Sequence, residues 1–266
     1  MTYKDICRRF AECGIENASG EARILLEEIC GEFFPERDYS SDMLLSAVEK
    51  RCTGYPLQYI IGKWWFCRCE FEVNENCLIP RPDTEIAVEE AKKLLSQNAR
   101  FADLCTGSGC IAISLLDLRP DVTAVAVELY PKTLELANRN AERNKVADRF
   151  CGVLGDVLSG DVLGDEIFDV IVSNPPYIRS EVVPTLSVEV GFEPHAALDG
   201  GDDGLIFYRR IVEAYIKNLT ADGHFVFEIG YDQADDLHKI AQKHDLECRI
   251  VRDFGGNDRV AILKRR

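Results

Sequence analysis

The chain has 266 residues, is 46% hydrophobic and carries a formal net charge of −15, which fits one large α/β domain with a smaller one attached. Proteins that grip a phosphate backbone concentrate positive charge, so the acidic balance argues against direct nucleic-acid binding. No apolar stretch is long enough to cross a bilayer, and the charged N-terminus lacks the apolar core of a signal peptide. We therefore expect a cytoplasmic protein without a membrane partner.

The cysteines and histidines indicate neither a disulfide framework nor a metal site. The eleven cysteines are odd in number and contain no C-x-x-C pair, and the four histidines do not form an HExxH motif. A long chain with no sign of export favours reduced thiols. We expect no bound metal.

The first part of the chain is predicted to be helical. Apolar residues recur at helical spacing over 3–13, 18–30 and 41–51, which predicts a small all-helical domain over residues 1–58. Alternation from Trp65 to Val73, followed by the turn residues 74–76 and a second apolar run, predicts a β-hairpin linker over 59–82.

A different pattern begins near residue 83. The segment PRPDTE predicts a helix capped by Asp83 or Thr84. Short strands and helices then alternate, which predicts a mostly parallel sheet covered on both faces, with one antiparallel strand at its edge. Strands are predicted over 101–104, 122–128, 150–154, 167–173, 223–229, 246–252 and 258–264, and helices over 109–118, 131–144, 205–219 and 232–243.

The stretch FADLCTGSGCIA is typical of a strand, a Gly-rich turn and the start of a helix. Gly107 and Gly109 allow a ligand to approach the backbone closely, and the helix N-terminus offers free N–H groups. Glu128 ends the next strand, where a carboxylate can accept hydrogen bonds from both ribose hydroxyls. The spacing Gly107-x-Gly109-x-x-Ala112 also satisfies the relaxed dinucleotide fingerprint, so a nicotinamide cofactor remains an alternative.

Two aspartates favour S-adenosylmethionine over a dinucleotide. Asp103 stands directly before the Gly-rich turn, where it can hold the methionine ammonium group. Asp156 follows the third strand, where it can accept a hydrogen bond from the adenine amino group. Each is weak alone, because an Asp after a strand is commonly a turn residue.

The stretch Asn174-Pro175-Pro176-Tyr177 follows the fourth strand and is interpreted as a clamp for a planar amino group. The Asn174 side-chain oxygen and the Pro175 carbonyl can each accept one N–H, while the two prolines stiffen the loop. Tyr177 can stack on the planar group. A glutamine or asparagine amide and the amino groups of adenine, guanine and cytosine all fit this description.

Together these stretches resemble the HemK-type peptide-chain release factor glutamine methyltransferases over nearly the whole chain. NPPY is shared with amino-group methyltransferases that act on DNA and RNA, but its combination with the other segments is more specific. The matching segments are IPRPDTE (79–85), DLCTGSGCIAISL (103–115), VSNPPYI (172–178), EPHAALDGGDDGL (193–205), FEIGYDQ (227–233) and DFGGNDRVAI (253–262).

The resemblance implies a fold and an activity. The fold is a Rossmann-like, class I, seven-stranded S-adenosylmethionine methyltransferase domain over 83–266, preceded by the hairpin linker and the helical domain. The substrate is the Gly-Gly-Gln glutamine of class I release factors, methylated on its side-chain nitrogen (N5). The helical domain recognises the release factor, S-adenosylhomocysteine is the second product, and the protein is expected to be a monomer.

The resemblance also assigns site residues. Catalysis and glutamine binding fall to the NPPY residues. Arg81 is a further candidate for substrate contact on its own position in PRPDTE, with a salt bridge within the linker as the alternative. Two positions depart from the family pattern: Cys105 replaces a usual Gly, and Glu128 replaces a common Asp. The cofactor contacts are Asp103, Cys105, Thr106, Gly107, Ser108, Gly109, Glu128, Asp156, Val157 and Asn174.

Other functions remain open at this point. A ribosomal-protein glutamine methyltransferase and a DNA adenine N6-methyltransferase share the expected cofactor and clamp. A nicotinamide-dependent oxidoreductase explains the Gly-rich turn but not NPPY. A non-catalytic binding module is the remaining alternative.

Overall fold

Four helices form the N-terminal part of the computed structural model, which describes residues 1–266. They are α1 (Tyr3–Glu12), α2 (Ala18–Cys30), α3 (Asp42–Cys52) and α4 (Leu57–Ile61). A capping box between Thr2 and Asp5 begins α1, which satisfies backbone N–H groups that have no partner within the helix. The helices bury a core of their own, to which Phe10, Leu25 and Leu44 belong.

The fourth helix was not expected from the sequence. It has only five residues, and a single helical turn gives no recognisable periodicity. The predicted domain boundary after residue 58 falls inside it.

A β-hairpin follows, but its turn lies elsewhere than predicted. Strands β1 (Lys63–Phe66) and β2 (Cys69–Glu72) pair antiparallel, with Phe66 opposite Cys69. The turn is therefore at residues 67 and 68, and the predicted strand from Trp65 to Val73 with a turn at 74–76 is wrong. Cys67 has φ +51°, a conformation that cysteine rarely adopts, so the sequence carries no turn signal there.

The helix after the hairpin begins without the predicted side-chain cap. Residues Pro82–Thr84 form a 3₁₀ turn that leads into α5 (Glu85–Leu94), and no side chain caps either element. The hydroxyl of Thr84 contacts Asn174 instead. The Asp83 carboxylate forms an ion pair of 3.2 Å with Arg259.

The remaining elements alternate as predicted. The strands are β3 (Arg100–Leu104), β4 (Thr123–Glu128), β5 (Phe150–Leu154), β6 (Phe168–Ser173), β7 (Leu219–Glu228), β8 (Leu246–Arg252) and β9 (Asp258–Arg265). The helices are α6 (Cys110–Leu118), α7 (Pro131–Arg143), α8 (Ile206–Tyr215) and α9 (Ala234–Lys243).

These strands form one seven-stranded sheet in the order β5-β4-β3-β6-β7-β9-β8. The first five of these pair parallel, which confirms the expected Rossmann-like architecture. β9 runs antiparallel to both β7 and β8. The prediction of an antiparallel strand at the edge is therefore wrong in position, because the antiparallel strand lies second from the edge and β8 forms the edge.

Apolar residues cover both faces of this sheet. One core lies between the sheet and α5, α6, α7 and the hairpin, and it includes Phe71 and Phe101. The other lies under α8 and α9 and includes Tyr208 and Phe225. Because β3 to β7 are parallel, their carboxyl ends meet at one edge, where a ligand cleft is expected. None of the helices has the length and apolar character that crossing a membrane requires.

Candidate active site

A cleft lies at the carboxyl ends of β3, β4, β5 and β6. About 920 Å³ of space within it, including open solvent at its mouth, is not filled by protein atoms. Of the predicted site residues, the cleft is lined by Arg81, Cys105, Thr106, Gly107, Ser108, Glu128, Asp156, Val157, Asn174 and Pro176. The sheet edge thus brings most of the predicted residues together.

The loop between β3 and α6 forms one wall of the cleft. Gly107 and Gly109 have φ values of +56° and +83°, which glycine adopts without steric cost. A Cβ on Gly109 would stand 2.8 Å from Ile113 Cδ1, so this glycine supports the loop from behind and does not line the cleft. Cys105 also has a positive φ, +61°, although its side chain carries a Cβ.

Asp103, the predicted contact of the methionine ammonium group, does not line the cleft. Its side chain is fully buried and absent from the cleft wall. Its Oδ2 accepts hydrogen bonds from Thr106 Oγ1 at 2.6 Å and Ala112 N at 3.2 Å. The carboxyl group therefore joins the loop to the first turn of α6. Burial raises the pKa of Asp103 to about 7.

Glu128 lines the cleft at the end of β4. Its Oε2 accepts a hydrogen bond from Gly107 N and its Oε1 from Tyr130 N, both at 3.0 Å. Burial raises the pKa of Glu128, and these backbone N–H groups oppose that rise. Each carboxylate oxygen keeps a further lone pair for a ligand.

Asp156 and Val157 lie in the turn after β5. Asp156 Oδ1 accepts a hydrogen bond from Leu158 N at 2.8 Å, which holds the turn in place. Val157 is buried, and its carbonyl accepts a hydrogen bond from Tyr215 Oη at 2.9 Å. The two residues offer a polar and an apolar contact side by side on the cleft wall.

Asn174 lines the cleft directly after β6. Its Nδ2 donates to Thr84 Oγ1 at 3.2 Å, which leaves Oδ1 uncommitted. The carbonyl of Pro175 accepts no backbone hydrogen bond. Asn174 Oδ1 is thus available at the cleft to a planar NH₂ group.

Pro175 and Tyr177 do not line the cleft. Tyr177 packs against the core under α8 and α9, and its hydroxyl donates to Glu228 Oε1 at 3.3 Å. The predicted stacking of Tyr177 on a substrate amide has no counterpart in this arrangement, because the ring is held by the core.

The loop DGGDDGL packs directly against the NPPY backbone. A Cβ on Gly200 would stand 2.7 Å from Tyr177 Cα and 2.8 Å from Pro176 O. Gln233 Nε2 donates to Tyr177 O at 3.0 Å and to Gly204 O at 3.1 Å. These contacts support the NPPY backbone through residues that do not themselves line the cleft.

Arg81 lines the cleft and forms an ion pair with Glu193. Glu193 Oε2 also accepts a hydrogen bond from Ile79 N at 3.0 Å. Burial raises the pKa of Glu193, and the charge of Arg81 opposes that rise. The carboxylate joins the linker to the segment of residues 194–197, and both segments contribute residues to the cleft wall.

Sequence reasoning missed three residues that support the site: Thr84, Glu193 and Glu228. All three are buried polar residues, and all three lie in the segments that carry the family resemblance. The resemblance located these segments, but the partner of each side chain depends on contacts between residues far apart in the chain.

The chain is similar to proteins of known family. A family model described as "Methyltransferase small domain" matches residues 83–192. A release factor glutamine methyltransferase of Caulobacter vibrioides is 36% identical, over 96% of this chain and 92% of that protein. A release factor glutamine methyltransferase of Geobacter sulfurreducens is 39% identical, over 94% of this chain and 90% of that protein.

The chain belongs to the release factor glutamine methyltransferase family. This membership makes it a methyltransferase, which overturns the alternatives of a nicotinamide-dependent oxidoreductase and a non-catalytic module.

The fold is also found among solved methyltransferase structures. The catalytic domain of hMettl16, solved in complex with hairpin 1 of the MAT2A 3′UTR, covers 84% of this chain and 79% of its own, with a TM-score of 0.60. Its sequence identity is 17%, so this likeness concerns the fold alone. It agrees with a class I methyltransferase architecture.

Proposed function

We propose that this protein transfers a methyl group from S-adenosylmethionine to the side-chain amide nitrogen (N5) of the glutamine in the Gly-Gly-Gln motif of class I release factors. The observation that carries the proposal is the Asn174 side chain, whose Nδ2 is bonded within the protein while Oδ1 remains free beside the cleft. Membership of the release factor glutamine methyltransferase family supports the choice of substrate.

The cleft residues fit S-adenosylmethionine. Glu128 accepts hydrogen bonds from the ribose hydroxyls, Asp156 accepts one from the adenine amino group, and Val157 packs beside the ring. The Ser108 hydroxyl is buried without a hydrogen-bond partner and lines the cleft, so a polar ligand atom there would satisfy it. Within this proposal Asp103 acts by holding the loop. When bound, the cofactor supplies an electrophilic methyl group for direct displacement.

The clamp residues act on the glutamine amide. Asn174 Oδ1 and the Pro175 carbonyl each accept one N–H, which fixes the nitrogen and turns its lone pair toward the cleft. The same two oxygens stabilise the positive charge that develops on the nitrogen during transfer. Positioning of this kind can contribute about 7–11 kcal/mol to lowering a barrier, so a strong side-chain base is not needed. Arg81 lies at the cleft as a further contact for the release factor.

The proposed enzyme is a monomer. Its proposed location is the cytoplasm, because release factors act on ribosomes there. The helices α1 to α4 are proposed to recognise the release factor. No metal ion takes part.

Methyl transfer from labelled S-adenosylmethionine tests the proposal. The acceptors are a purified class I release factor, the same factor with its Gly-Gly-Gln glutamine changed to alanine, duplex DNA and ribosomes. We expect label on the unchanged release factor alone. Label on DNA or on a ribosomal protein would contradict the substrate, and equal label on the alanine variant would contradict the site.

A further inference from the structure

Asn140 connects the β-hairpin to the loop between β3 and α6, residues 105–109. It lies in α7, its side chain is fully buried, and its amide group forms three hydrogen bonds. Oδ1 accepts from Glu72 N at 2.7 Å, and Nδ2 donates to Glu72 O at 3.0 Å and to Ser108 O at 2.9 Å. Both N–H groups of the amide are therefore used.

The backbone of Glu72 fixes the orientation of this amide. A backbone N–H can only donate and a carbonyl can only accept, so Oδ1 must face Glu72 N and Nδ2 must face Glu72 O. The reversed amide would place Nδ2 against an N–H group and Oδ1 against two carbonyls. Contacts outside the loop therefore direct the second N–H of Nδ2 to Ser108 O.

The loop needs such a contact because glycines flank Ser108 on both sides. Gly107 and Gly109 have φ values of +56° and +83°, and glycine loses more conformational freedom on folding than any other residue. A Cβ on Gly109 would stand 3.4 Å from Ala137 Cβ, so the loop also packs against α7 one turn before Asn140. Two neighbouring turns of α7 thus support the loop.

We propose that Asn140 is a positioning residue for S-adenosylmethionine, which holds the Ser108 carbonyl, and with it the loop, in the conformation that binds the cofactor. Ser108 lines the cleft, whereas Asn140 and Glu72 do not. A loop that is ordered before binding loses less entropy when the ligand arrives. The inference rests on the cofactor of the proposed function and extends it to a residue outside the cleft.

Asn144, at the C-terminal end of α7, provides a matched control. Its Nδ2 donates to Glu70 O at 3.0 Å and to Asn140 O at 2.9 Å. It therefore bonds the backbone of the same strand, β2, without a hydrogen bond to the loop. Asn144→Ala removes a contact with the hairpin and leaves the contact with Ser108 in place.

Titration calorimetry with S-adenosylmethionine compares Asn140→Ala with Asn144→Ala, and circular dichroism shows whether both are folded. We expect the Kd to rise roughly five- to tenfold in Asn140→Ala, the effect of losing one hydrogen bond, and less than about twofold in Asn144→Ala. The KM for the release factor at saturating S-adenosylmethionine should be unchanged in both variants. Equal changes in Kd would overturn the positioning role.

Hydrogen exchange in the wild-type protein is a second measurement if Asn140→Ala does not fold. Glu72 N–H is bonded to Asn140 Oδ1, whereas Val73 N–H, in the adjoining residue, is bonded to Gly62 O at 3.1 Å. Because coupling between two sites is reciprocal, bound S-adenosylmethionine should slow exchange at Glu72 N–H by a larger factor than at Val73 N–H. Equal slowing at the two N–H groups would overturn the inference.

Cofactor binding is measured without the release factor, so it is independent of the proposed methylation. Wild-type protein that binds S-adenosylmethionine but does not methylate the release factor would overturn the proposed function and leave the role of Asn140 in place. Equal changes in Kd in the two variants of a protein that does methylate it would overturn the role of Asn140 alone. Wild-type protein that does not bind S-adenosylmethionine would overturn both.

Discussion

At the scale of single residues, Cys105 is the clearest strained position. Its φ of +61° lies in the left-handed region, where a Cβ costs about 1 kcal/mol or more and glycine costs nothing. We therefore expect Cys105→Gly to be more stable than Cys105→Ala by about 1 kcal/mol, although glycine usually destabilises relative to alanine. Chemical denaturation of the two variants measures the difference. If Cys105→Ala is more stable than Cys105→Gly, the backbone at residue 105 is not strained by a Cβ.

Asp103 gives a prediction about pH. The pKa of its buried carboxyl is raised to about 7 from an ordinary value of 3.8, so the folded state binds the proton more tightly than the unfolded state. The resulting stabilisation is complete below about pH 4 and is lost as the pH rises through about 7. Asp103→Asn cannot titrate, and we expect its free energy of unfolding to decline less over this range.

Denaturation at about pH 5 and about pH 8 would compare the two proteins. Glu128 also has a raised pKa and titrates in both proteins, so the difference between them isolates Asp103. The same decline in the free energy of unfolding of the wild type and of Asp103→Asn would contradict the raised pKa of Asp103.

At the scale of elements, the site depends on segments that pack behind the clamp. Alanine at Gly200 would place a Cβ 2.7 Å from Tyr177 Cα, so the backbone at residues 176 and 177 would have to shift. Displacements of about 1 Å can cost 100-fold in rate, and we expect Gly200→Ala to lower kcat at least about tenfold. Gly191→Ala is the matched control, because a Cβ there meets nothing within 4 Å.

Methyl transfer to the release factor, with unfolding as a check, separates the two glycines. Equal kcat in Gly200→Ala and Gly191→Ala would show that the loop does not hold the clamp.

The secondary-structure elements differ in how well the sequence predicts them. Alternating strands and helices predicted the parallel sheet, because each element carries its own periodicity. The hairpin turn at Cys67 was missed because it needs a φ that cysteine rarely adopts. The short helix α4 was missed because five residues are too few to show helical periodicity. The cleft wall was largely predicted, because parallel strands place their carboxyl ends together. The hydrogen bond between Asn174 and Thr84 was not predicted, because it joins segments 90 residues apart in the chain.

At the scale of the whole molecule, Arg51 connects the helical part to the chain beside the cleft. Its buried guanidinium in α3 binds Glu21 in α2 through two hydrogen bonds of 2.6 and 3.1 Å, and Glu189 through one of 3.0 Å. Glu189 precedes the residues around Glu193 that close the cleft. Tyr55 and Phe192 add an edge-to-face ring contact between the same two parts, at 5.2 Å.

Arg51→Met should therefore lower the free energy of unfolding by about 1–3 kcal/mol, because buried charge-assisted hydrogen bonds are lost and Glu21 is left without its partner. Arg8→Met is the control, since the ion pair of Arg8 with Asp5 is exposed and such pairs contribute about 1 kcal/mol or less. Urea denaturation measures both. Equal losses of unfolding free energy in Arg51→Met and Arg8→Met would contradict the connecting role of Arg51.

The proposed mechanism requires Asn174 to hold a glutamine amide for methylation. Mass spectrometry of a class I release factor, incubated with S-adenosylmethionine and the enzyme, tests it most directly when wild-type protein and Asn174→Ala are compared. We expect one added methyl group on the Gly-Gly-Gln glutamine with the wild type. With Asn174→Ala we expect a rate at least about 100-fold lower, although the cofactor still binds. A methyl group on another residue, or an undiminished rate in Asn174→Ala, would contradict it.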